Sequence, residues 1–329
     1  MTNASMTRDR RQTTYLDRPE RLRKVRNLAL ASETAAHILG TIPQDCITAG
    51  RYVPLDDIAD RLGVRYKLSH ASGKTSANLS FEGMVQTETL QPPLSPDITG
   101  ERHYVQLFAN SANPTNRMRF TLAHELAHVA LQRTLDKREI EISANETEFV
   151  CDATACLILF PDVLLHTFFR THRPLRLSIP LLADTCRRAR ISISVVLSRL
   201  NEAAGRGRIV LENAGLLIAL DLSRKHRVNL APRVYTCCIP KPWFLPVNKR
   251  ISRLGLTGLI HPFHHAPLYR EARLEATLSL WNSEAGHSLH VPASVTYVCY
   301  RVAAMPLGQQ ANEFSRLMLA ICDLENVGI

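Results

Sequence analysis

Long hydrophobic runs are missing from this chain of 329 residues. A membrane-spanning helix needs at least about 18 consecutive apolar residues, and no stretch approaches that length. The N-terminus is charged and lacks the apolar segment of a signal peptide, which argues against secretion. We therefore expect a cytoplasmic protein without membrane contact, whose hydrophobic content of 45% fills the cores of two or three domains.

Cysteine pairs at metal-binding spacing are also missing, although Cys237 and Cys238 are adjacent. The eight cysteines are scattered along the chain and form no Cys-x-x-Cys motif. Such a distribution is typical of reduced cysteines in a cytoplasmic protein.

Acidic side chains are scarce in two parts of a chain whose net charge is +10. Residues 1–26 hold eight basic and three acidic side chains, and residues 187–253 hold fourteen basic and three acidic ones. A basic stretch can bind phosphate backbones or acidic proteins, or it can form a solvated surface. Aromatic residues do not accompany the basic ones in a stacking pattern, so direct reading of nucleic-acid bases is not supported.

A pair of histidines with a glutamate between them indicates a catalytic metal site. His124, Glu125 and His128 form an HExxH motif in a segment predicted to be helical, with Asn113 as N-cap and Pro114 as first helical residue. Residues four apart share one face of a helix, so both imidazoles can reach one zinc ion at roughly 2.0–2.1 Å. Glu125 is then placed to act as a general base. The alternative is a helix with two partly buried, hydrogen-bonded histidines, and the apolar stripe beside the pair weakens it.

A catalytic zinc ion needs a third protein ligand. Ser143 and Glu146 have the spacing of a capping box, which predicts a second helix from about Ala144 to Phe160 that stops at Pro161. The downstream carboxylates that can serve as the ligand are Glu139, Glu141, Glu146, Glu148 and Asp152. Of these, Glu146 is engaged in capping, while Glu148 and Asp152 lie four apart on one helix face. Geometry alone does not choose between the last two.

Two segments in this order resemble the core motifs of the ImmA/IrrE family of bacterial metallopeptidases. The first is Arg119-Phe-Thr-Leu-Ala-His-Glu-Leu-Ala-His128, and the second is Glu148-Phe-Val-Cys-Asp-Ala-Thr-Ala-Cys-Leu-Ile-Leu-Phe-Pro161. Three positions depart from the family pattern: Ala127 stands where Gly is common, Asp152 where Asn is usual, and Cys156 in place of Ala.

The resemblance implies a metal site and a fold. It assigns His124, His128 and Glu148 as ligands of Zn²⁺, with Mn²⁺ as the alternative metal, and Glu125 as the catalytic base. Asp152 would then contact a ligand histidine without binding the metal itself. The implied fold class is α+β, with a zincin-like metallopeptidase domain of a small mixed sheet plus the HExxH helix.

Strands are predicted on the N-terminal side of that helix, at Val64–Leu68, Asn78–Val85 and His103–Ala109. By resemblance to zinc peptidases, the strand at His103–Ala109 is expected to line the cleft and pair with an extended substrate.

A helix-turn-helix spacing follows between Ser178 and Leu200, with a break near Arg190. Four arginines are candidates for contact with nucleic acid or a partner: Arg187, Arg188, Arg190 and Arg199. Helix pairs of this kind also pack in globular cores, and we favour packing over reading of DNA.

The pattern changes after a linker at Ala203–Arg208. Alternating apolar residues at 274–280 and 295–299 predict strands, and a helix is predicted from about Gln309 to Leu324. The cluster His261-Pro-Phe-His-His265 lacks further ligands at metal spacing, so we interpret it as a surface loop.

The chain is therefore divided as follows: a basic, flexible tail at 1–26, a zinc metallopeptidase domain at 27–165, an HTH-like helical segment at 166–204 and an α+β domain at 205–329. The position of the last domain is that of a GAF-like sensor in longer IrrE-like proteins.

These observations predict a zinc-dependent endopeptidase. By family resemblance, its substrate is a DNA-binding repressor of the XRE helix-turn-helix type, and cleavage relieves repression in a stress response or in control of a mobile element. Two other classes stay open. One is a DNA-binding regulator that uses the basic 187–253 region, and the other is a toxin–antitoxin-type interaction protein with a non-catalytic metal site.

Overall fold

The structure is a computed structural model. It describes residues 18–70, 83–87, 103–109, 115–170, 173–221, 233–241, 243–244, 271–282, 287–301 and 315–324. The helices are α1 (Arg18–Leu39), α2 (Gln44–Gly50), α3 (Leu55–Arg61), α4 (Thr115–Arg138), α5 (Ala144–Leu159), α6 (Asp162–Phe169), α7 (Ile179–Ala189) and α8 (Ile193–Gly205). The strands are β1 (Val64–His70), β2 (Gly83–Thr87), β3 (His103–Ala109), β4 (Ala214–Asp221), β5 (Arg233–Cys238), β6 (Trp243–Phe244), β7 (Glu271–Asn282), β8 (His287–Arg301) and β9 (Ser315–Leu324).

The first sheet is small and mixed. Its strand order is β1-β3-β2, with β1 parallel and β2 antiparallel to β3. The predicted strand at His103–Ala109 is confirmed, as is the one that begins at Val64. The strand predicted at 78–85 begins at Gly83, and residues 78–82 lie outside the described residues.

The position of β3 corrects the expectation that it pairs with substrate. Because β3 lies between β1 and β2, its backbone hydrogen-bonding groups face a neighbouring strand on both sides. A substrate strand can add only at a sheet edge. Within the described residues, β1 and β2 are the two edge strands, and β2 also packs against α4, the helix that carries the histidines.

The two helices of the predicted metal site form as expected. On α4, Leu122, Leu126 and Ala130 are buried in the main core, whereas the expected cap at Asn113 and Pro114 lies outside the described residues. On α5, the capping box is present, since the Ser143 hydroxyl accepts from the Glu146 N–H and the Glu146 carboxylate accepts from the Ser143 N–H. The helix ends at Leu159, before Pro161, as predicted.

Helix α1 begins inside the segment expected to be a flexible tail. Residues 18–26 are helical, so the expectation of a flexible tail over all of 1–26 is wrong for this part, while residues 1–17 lie outside the described residues. The reason is tertiary packing: Leu30 and Ala31 are buried in a small cluster with α4 and α5, and Arg26 pairs with Glu146 at 2.6 Å. Leu22 and Val25 are exposed like the charged residues beside them, so residues 22–26 extend the packed part of α1 without adding to the core.

Helices α7 and α8 form the expected pair. Ser178 and Ser192 cap their N-termini, and Arg190 forms the break in a left-handed conformation with φ of 54°. The inward faces of the pair, including Leu182 and Val196, are fully buried in the main core. The pair thus packs in the core, the interpretation favoured from the sequence.

The second sheet has six antiparallel strands in the order β5-β4-β9-β8-β7-β6. The alternating segments predicted as strands are confirmed in β7 and β8. The helix predicted from Gln309 to Leu324 is wrong, because residues 315–324 form β9 between β4 and β8. The apolar residues Leu317, Leu319 and Ile321 recur every second position, which is the strand period.

The sheet and the helices share one core. The main cluster includes Ile38 of α1, Leu126 of α4, Leu197 of α8, and Leu217 and Leu319 of the second sheet. Gly215 of β4 allows the close approach, because a Cβ there would lie 2.9 Å from a side-chain carbon of Leu197. Whether the sheet also acts as a separate sensor domain stays a prediction.

No single described helix is both long and apolar enough to cross a membrane. Helices α5 and α6 taken together pass that length and composition test, but a bend of 48° separates them.

Candidate metal centre

The three side chains predicted as metal ligands lie together. The Nε2 atoms of His124 and His128 are 3.0 Å apart, and the Glu148 carboxylate approaches them at 3.3 and 3.4 Å. One ligand atom from each residue lies within 4.8 Å of the other two. Two imidazoles and one carboxylate match the donor set of a catalytic zinc site, which leaves a fourth position open. The residues present therefore fit a zinc ion.

The packing of α4 against α5 brings the ligands together. Ala127 and Leu131 of α4 and Val150 and Cys151 of α5 are buried in one small cluster. The two histidines follow one another by a single turn of α4, and Glu148 lies near the start of α5. The site is thus formed by two rigid helices and needs no loop to complete it.

The geometry shows which of the two carboxylates, Glu148 or Asp152, faces both histidines, a choice that the sequence spacing alone could not make. Glu148 faces the Nε2 atoms of both histidines. Asp152 is instead hydrogen-bonded to the other ring nitrogen of His124, with its Oδ1 2.9 Å from Nδ1. This contact fixes the ring so that Nε2 points toward Glu148. The capping role of Glu146 also agrees with its exclusion from the ligand set.

The two histidines differ in their tendency to be protonated. Burial opposes the charge on His124, but the hydrogen bond and charge of Asp152, with Glu125 and Glu148, outweigh it and raise the pKa of His124. At His128, burial and the nearby His124 prevail and lower the pKa. The difference follows from Asp152, which contacts only His124.

Glu125 lies in the wall of the site. Its side chain is buried, with 7% of the residue exposed. Burial raises the pKa of its carboxyl, the charge of His124 lowers it, and that of Glu148 raises it further, so that the net shift is upward. A carboxylate that is held out of water is a stronger proton acceptor than a solvated one.

The cysteines on α5 are not candidates for the metal. Burial raises the pKa of Cys156 to about 12 and also raises that of Cys151. Neither thiol belongs to the cluster of candidate ligand atoms.

The four arginines proposed for partner contact have different environments. Arg187 and Arg188 are exposed and pair with Asp184. Arg190 is exposed at the turn, where its guanidinium stacks on Tyr52 at 4.2 Å.

The contact role expected of Arg199 is wrong. Its side chain is only 2% exposed, and its guanidinium donates to the Phe160 carbonyl, to Glu202 and to Asp162 at 2.7 Å. It is thus a buried link between α6 and α8. In the sequence Arg199 follows Arg187, Arg188 and Arg190 in a basic segment. No local pattern distinguishes this buried arginine from the exposed ones.

Sequence reasoning missed the part of α1 that supports the site. Arg26 pairs with Glu146, which in turn caps α5 only two residues before Glu148. The two partners are 120 positions apart in the chain, so no spacing rule could have linked them. The predicted surface loop with His261 and His265 lies outside the described residues.

Comparison with known proteins agrees with this geometry. The HExxH helix, the second helix with Glu148 and the small mixed sheet are consistent with a zincin-like metallopeptidase domain. Residues 84–201 match the family model Peptidase_M78, the IrrE N-terminal-like domain. The match supports assignment of residues 84–201 to the ImmA/IrrE family.

A solved structure, a Mycobacterium tuberculosis transcriptional regulator, is similar in fold. Its TM-score is 0.50 and its sequence identity is 14%, over 92% of this chain and 80% of that chain. At this identity the likeness concerns the fold alone. No curated protein matches the sequence.

Proposed function

We propose that the protein is a zinc-dependent endopeptidase. The observation that carries the proposal is the convergence of His124, His128 and Glu148 around one point, with the buried Glu125 next to the first ligand in the chain. The match to a peptidase family over residues 84–201 supports the same reaction class.

Each residue has a definite role in this proposal. His124, His128 and Glu148 would hold Zn²⁺, with Mn²⁺ as the alternative metal, and Asp152 would orient His124. When bound, the ion would polarise the scissile carbonyl and lower the pKa of water. Glu125 takes the proton from the attacking water and passes it to the leaving amine. The raised pKa of Glu125 suits both transfers, since the carboxyl must accept and then release a proton.

The proposed substrate is a DNA-binding repressor of the XRE helix-turn-helix type. The match of residues 84–201 to the IrrE N-terminal-like domain, together with the resemblance of the two motifs to the ImmA/IrrE family, supports this choice. Cleavage would lift repression in the cytoplasm, in a stress response or in control of a mobile element. An extended segment of the repressor would add to the edge strand β2, because β3 is enclosed by its neighbours.

Replacement of the base tests the mechanism. Glu125→Gln keeps the size and polarity of the side chain but cannot accept the proton, so we expect full zinc content and a fall in cleavage rate of about 100-fold or more. Metal analysis and a peptide-bond cleavage assay measure the two quantities. The exposed Glu141→Gln is the matched control and should cleave at the wild-type rate. Wild-type cleavage by Glu125→Gln would overturn the proposal.

The same variant identifies the substrate. Tagged Glu125→Gln protein is expressed in its native host and recovered before and after stress, and bound proteins are identified by mass spectrometry. We expect enrichment of a small helix-turn-helix repressor that is shortened only in cells with the wild-type enzyme. Enrichment of other proteins, which the wild type shortens, would keep the peptidase but replace the substrate class.

A DNA-binding regulator is the second candidate. The observation in its favour is the exposed turn between α7 and α8, where Arg187, Arg188 and Arg190 lie close in the chain. Binding to a duplex would then weaken with salt, and loss of one phosphate contact in Arg190→Gln would reduce the log–log salt slope by about 1. DNA binding that survives Glu125→Gln, together with absence of any cleaved protein, would favour this function.

A further inference from the structure

A cavity of about 410 Å³ lies between α1, α2 and the junction of α5 with α6. Its volume falls in the range of small-molecule sites, roughly 300–1,000 Å³. Leu157, which lines it, follows Glu148 by nine positions on α5. Nine residues of α-helix correspond to about 13 Å and half a rotation. The cavity is therefore separate from the metal centre and faces away from it.

The walls of the cavity are largely apolar. Ala35, Ile42 and Ile47 are buried at its floor, and Leu39, Leu157 and Val163 are half-buried around it. The space is open to solvent, so its apolar lining is in contact with water. An alkyl chain would cover this lining and would itself be removed from water.

One corner of the cavity is polar and carries excess positive charge. The charged residues among its lining are one carboxylate, Asp162, and two guanidiniums, Arg199 and Arg206. Asp162 is already shared between Arg199 and Arg208. Lys241 adds a further cation close by, since its Nζ donates to the Gly205 carbonyl at 3.2 Å.

Arg206 is the group best placed to receive an anion. Its side chain is 40% exposed, in contrast to that of the buried Arg199. It pairs with Glu202 at 2.7 Å and reaches the Ser32 hydroxyl at 3.4 Å. Because Glu202 is also paired with Arg199, Arg206 can share its remaining donors with a ligand without leaving Glu202 unpaired.

We propose that this cavity binds a small amphipathic carboxylate, with its alkyl chain between α1 and α2 and its carboxylate at Arg206. Binding fills the space against the last turn of α5, the helix that carries Glu148. A small molecule bound in this cavity would therefore contact the same helix that carries Glu148. Medium-chain alkanoates are suitable probes, because they are soluble and differ only in length.

Calorimetric titration of the full-length protein with hexanoate, heptanoate and octanoate tests the apolar part. Each added CH₂ group that enters the cavity should tighten binding about 4-fold, which corresponds to about 0.8 kcal/mol. Ala36 lines the cavity at an exposed position, so Ala36→Phe should fill it and abolish octanoate binding. The control Ala29→Phe changes an exposed position of the same helix outside the lining and should bind as the wild type does.

Comparison of octanoate with 1-octanol tests the polar part. Arg206→Gln should weaken octanoate binding about 5-fold and leave 1-octanol unchanged, because only the carboxylate interacts with the guanidinium charge. Arg170→Gln, an exposed arginine outside the lining, is the control. The proposal is overturned if octanoate does not bind saturably, if Ala36→Phe binds it as well as the wild type, or if Arg206→Gln affects the acid and the alcohol equally.

Discussion

At the scale of single residues, Asp152 distinguishes two histidines that the HExxH motif treats alike. Both imidazoles share one helix face, yet within the described part of the chain a carboxylate contacts Nδ1 of His124 alone. The pKa of His124 is raised as a result, while that of His128 is lowered by burial and by the charge of His124. The carboxylate also sets the orientation of the His124 ring, so removal of Asp152 should weaken metal binding.

We predict that Asp152→Ala lowers zinc affinity about 10- to 100-fold, since the ring of His124 loses the partner that orients it. Asp152→Asn should have a smaller effect, because the amide oxygen can still accept from Nδ1. Competition with a chromophoric chelator measures both variants, and Glu141→Ala is the control at an exposed position. Equal affinity of Asp152→Ala and wild type would show that the contact does not orient the ligand.

At the scale of the helix, charged groups stabilise the start of α5 close to Glu148, the proposed third ligand. The Glu146 carboxylate accepts from the backbone and side chain of Ser143 and pairs with Arg26. These hydrogen bonds, with Ser143 first, lower the pKa of Glu146 from 4.5 to about 2. A pKa that is depressed in the folded state stabilises the protein above the unfolded value and loses that effect as pH falls.

We therefore predict that wild-type protein is more stable than Glu146→Gln at pH 7 and that the difference shrinks as pH falls from about 5 toward 2. The glutamine keeps an acceptor but not the charge, so the variant isolates the electrostatic part. Urea unfolding of the metal-free protein at several pH values gives the free energies. A difference that does not change with pH would mean that the carboxylate contributes through shape alone. Glu141→Gln, just before the helix, serves as the control.

Helix and strand assignments from the sequence were reliable where local chemistry determines the element. The Ser143 capping box, the proline that follows α5 and the alternation in β7 and β8 are all short-range signals, and each was confirmed. The error at β9 arose from a mixed pattern, in which strand periodicity was interpreted as a helix. Pairing with β4 and β8 decides that segment, and such long-range pairing is not visible in the spacing.

In the candidate site too, features set by local spacing were predictable from the sequence, and features set by distant partners were not. The HExxH pair follows from residue spacing, and the choice of Glu148 came from family resemblance before the structure placed it beside the histidines. The burial of Arg199 and the central place of β3 depend on partners distant in sequence. They could not be predicted from the local pattern of charges or of apolar residues.

At the scale of the whole molecule, the helices and the second sheet share one hydrophobic core. This makes a distinct prediction for unfolding, because both tryptophans of the chain, Trp243 and Trp281, lie in that sheet. Helix content is followed separately by circular dichroism at 222 nm. If the core is cooperative, thermal transitions from tryptophan fluorescence and from circular dichroism should coincide. Transitions separated by several degrees would instead indicate a sheet domain that unfolds independently.

Gly215 connects the sheet to α8 and provides the sharper test of that cooperativity. A Cβ at this position would lie 2.9 Å from a carbon of Leu197, 3.1 Å from one of Leu177 and 3.2 Å from the sulfur of Cys238. Gly215→Ala must therefore displace three side chains in a closely packed core, at a cost of about 1–3 kcal/mol. We expect it to lower both transitions by the same amount. Gly205→Ala is the matched control, because a Cβ there meets nothing within 4 Å. A shift in the fluorescence transition alone would show that the contact with α8 does not couple the sheet to the helices that hold the metal ligands.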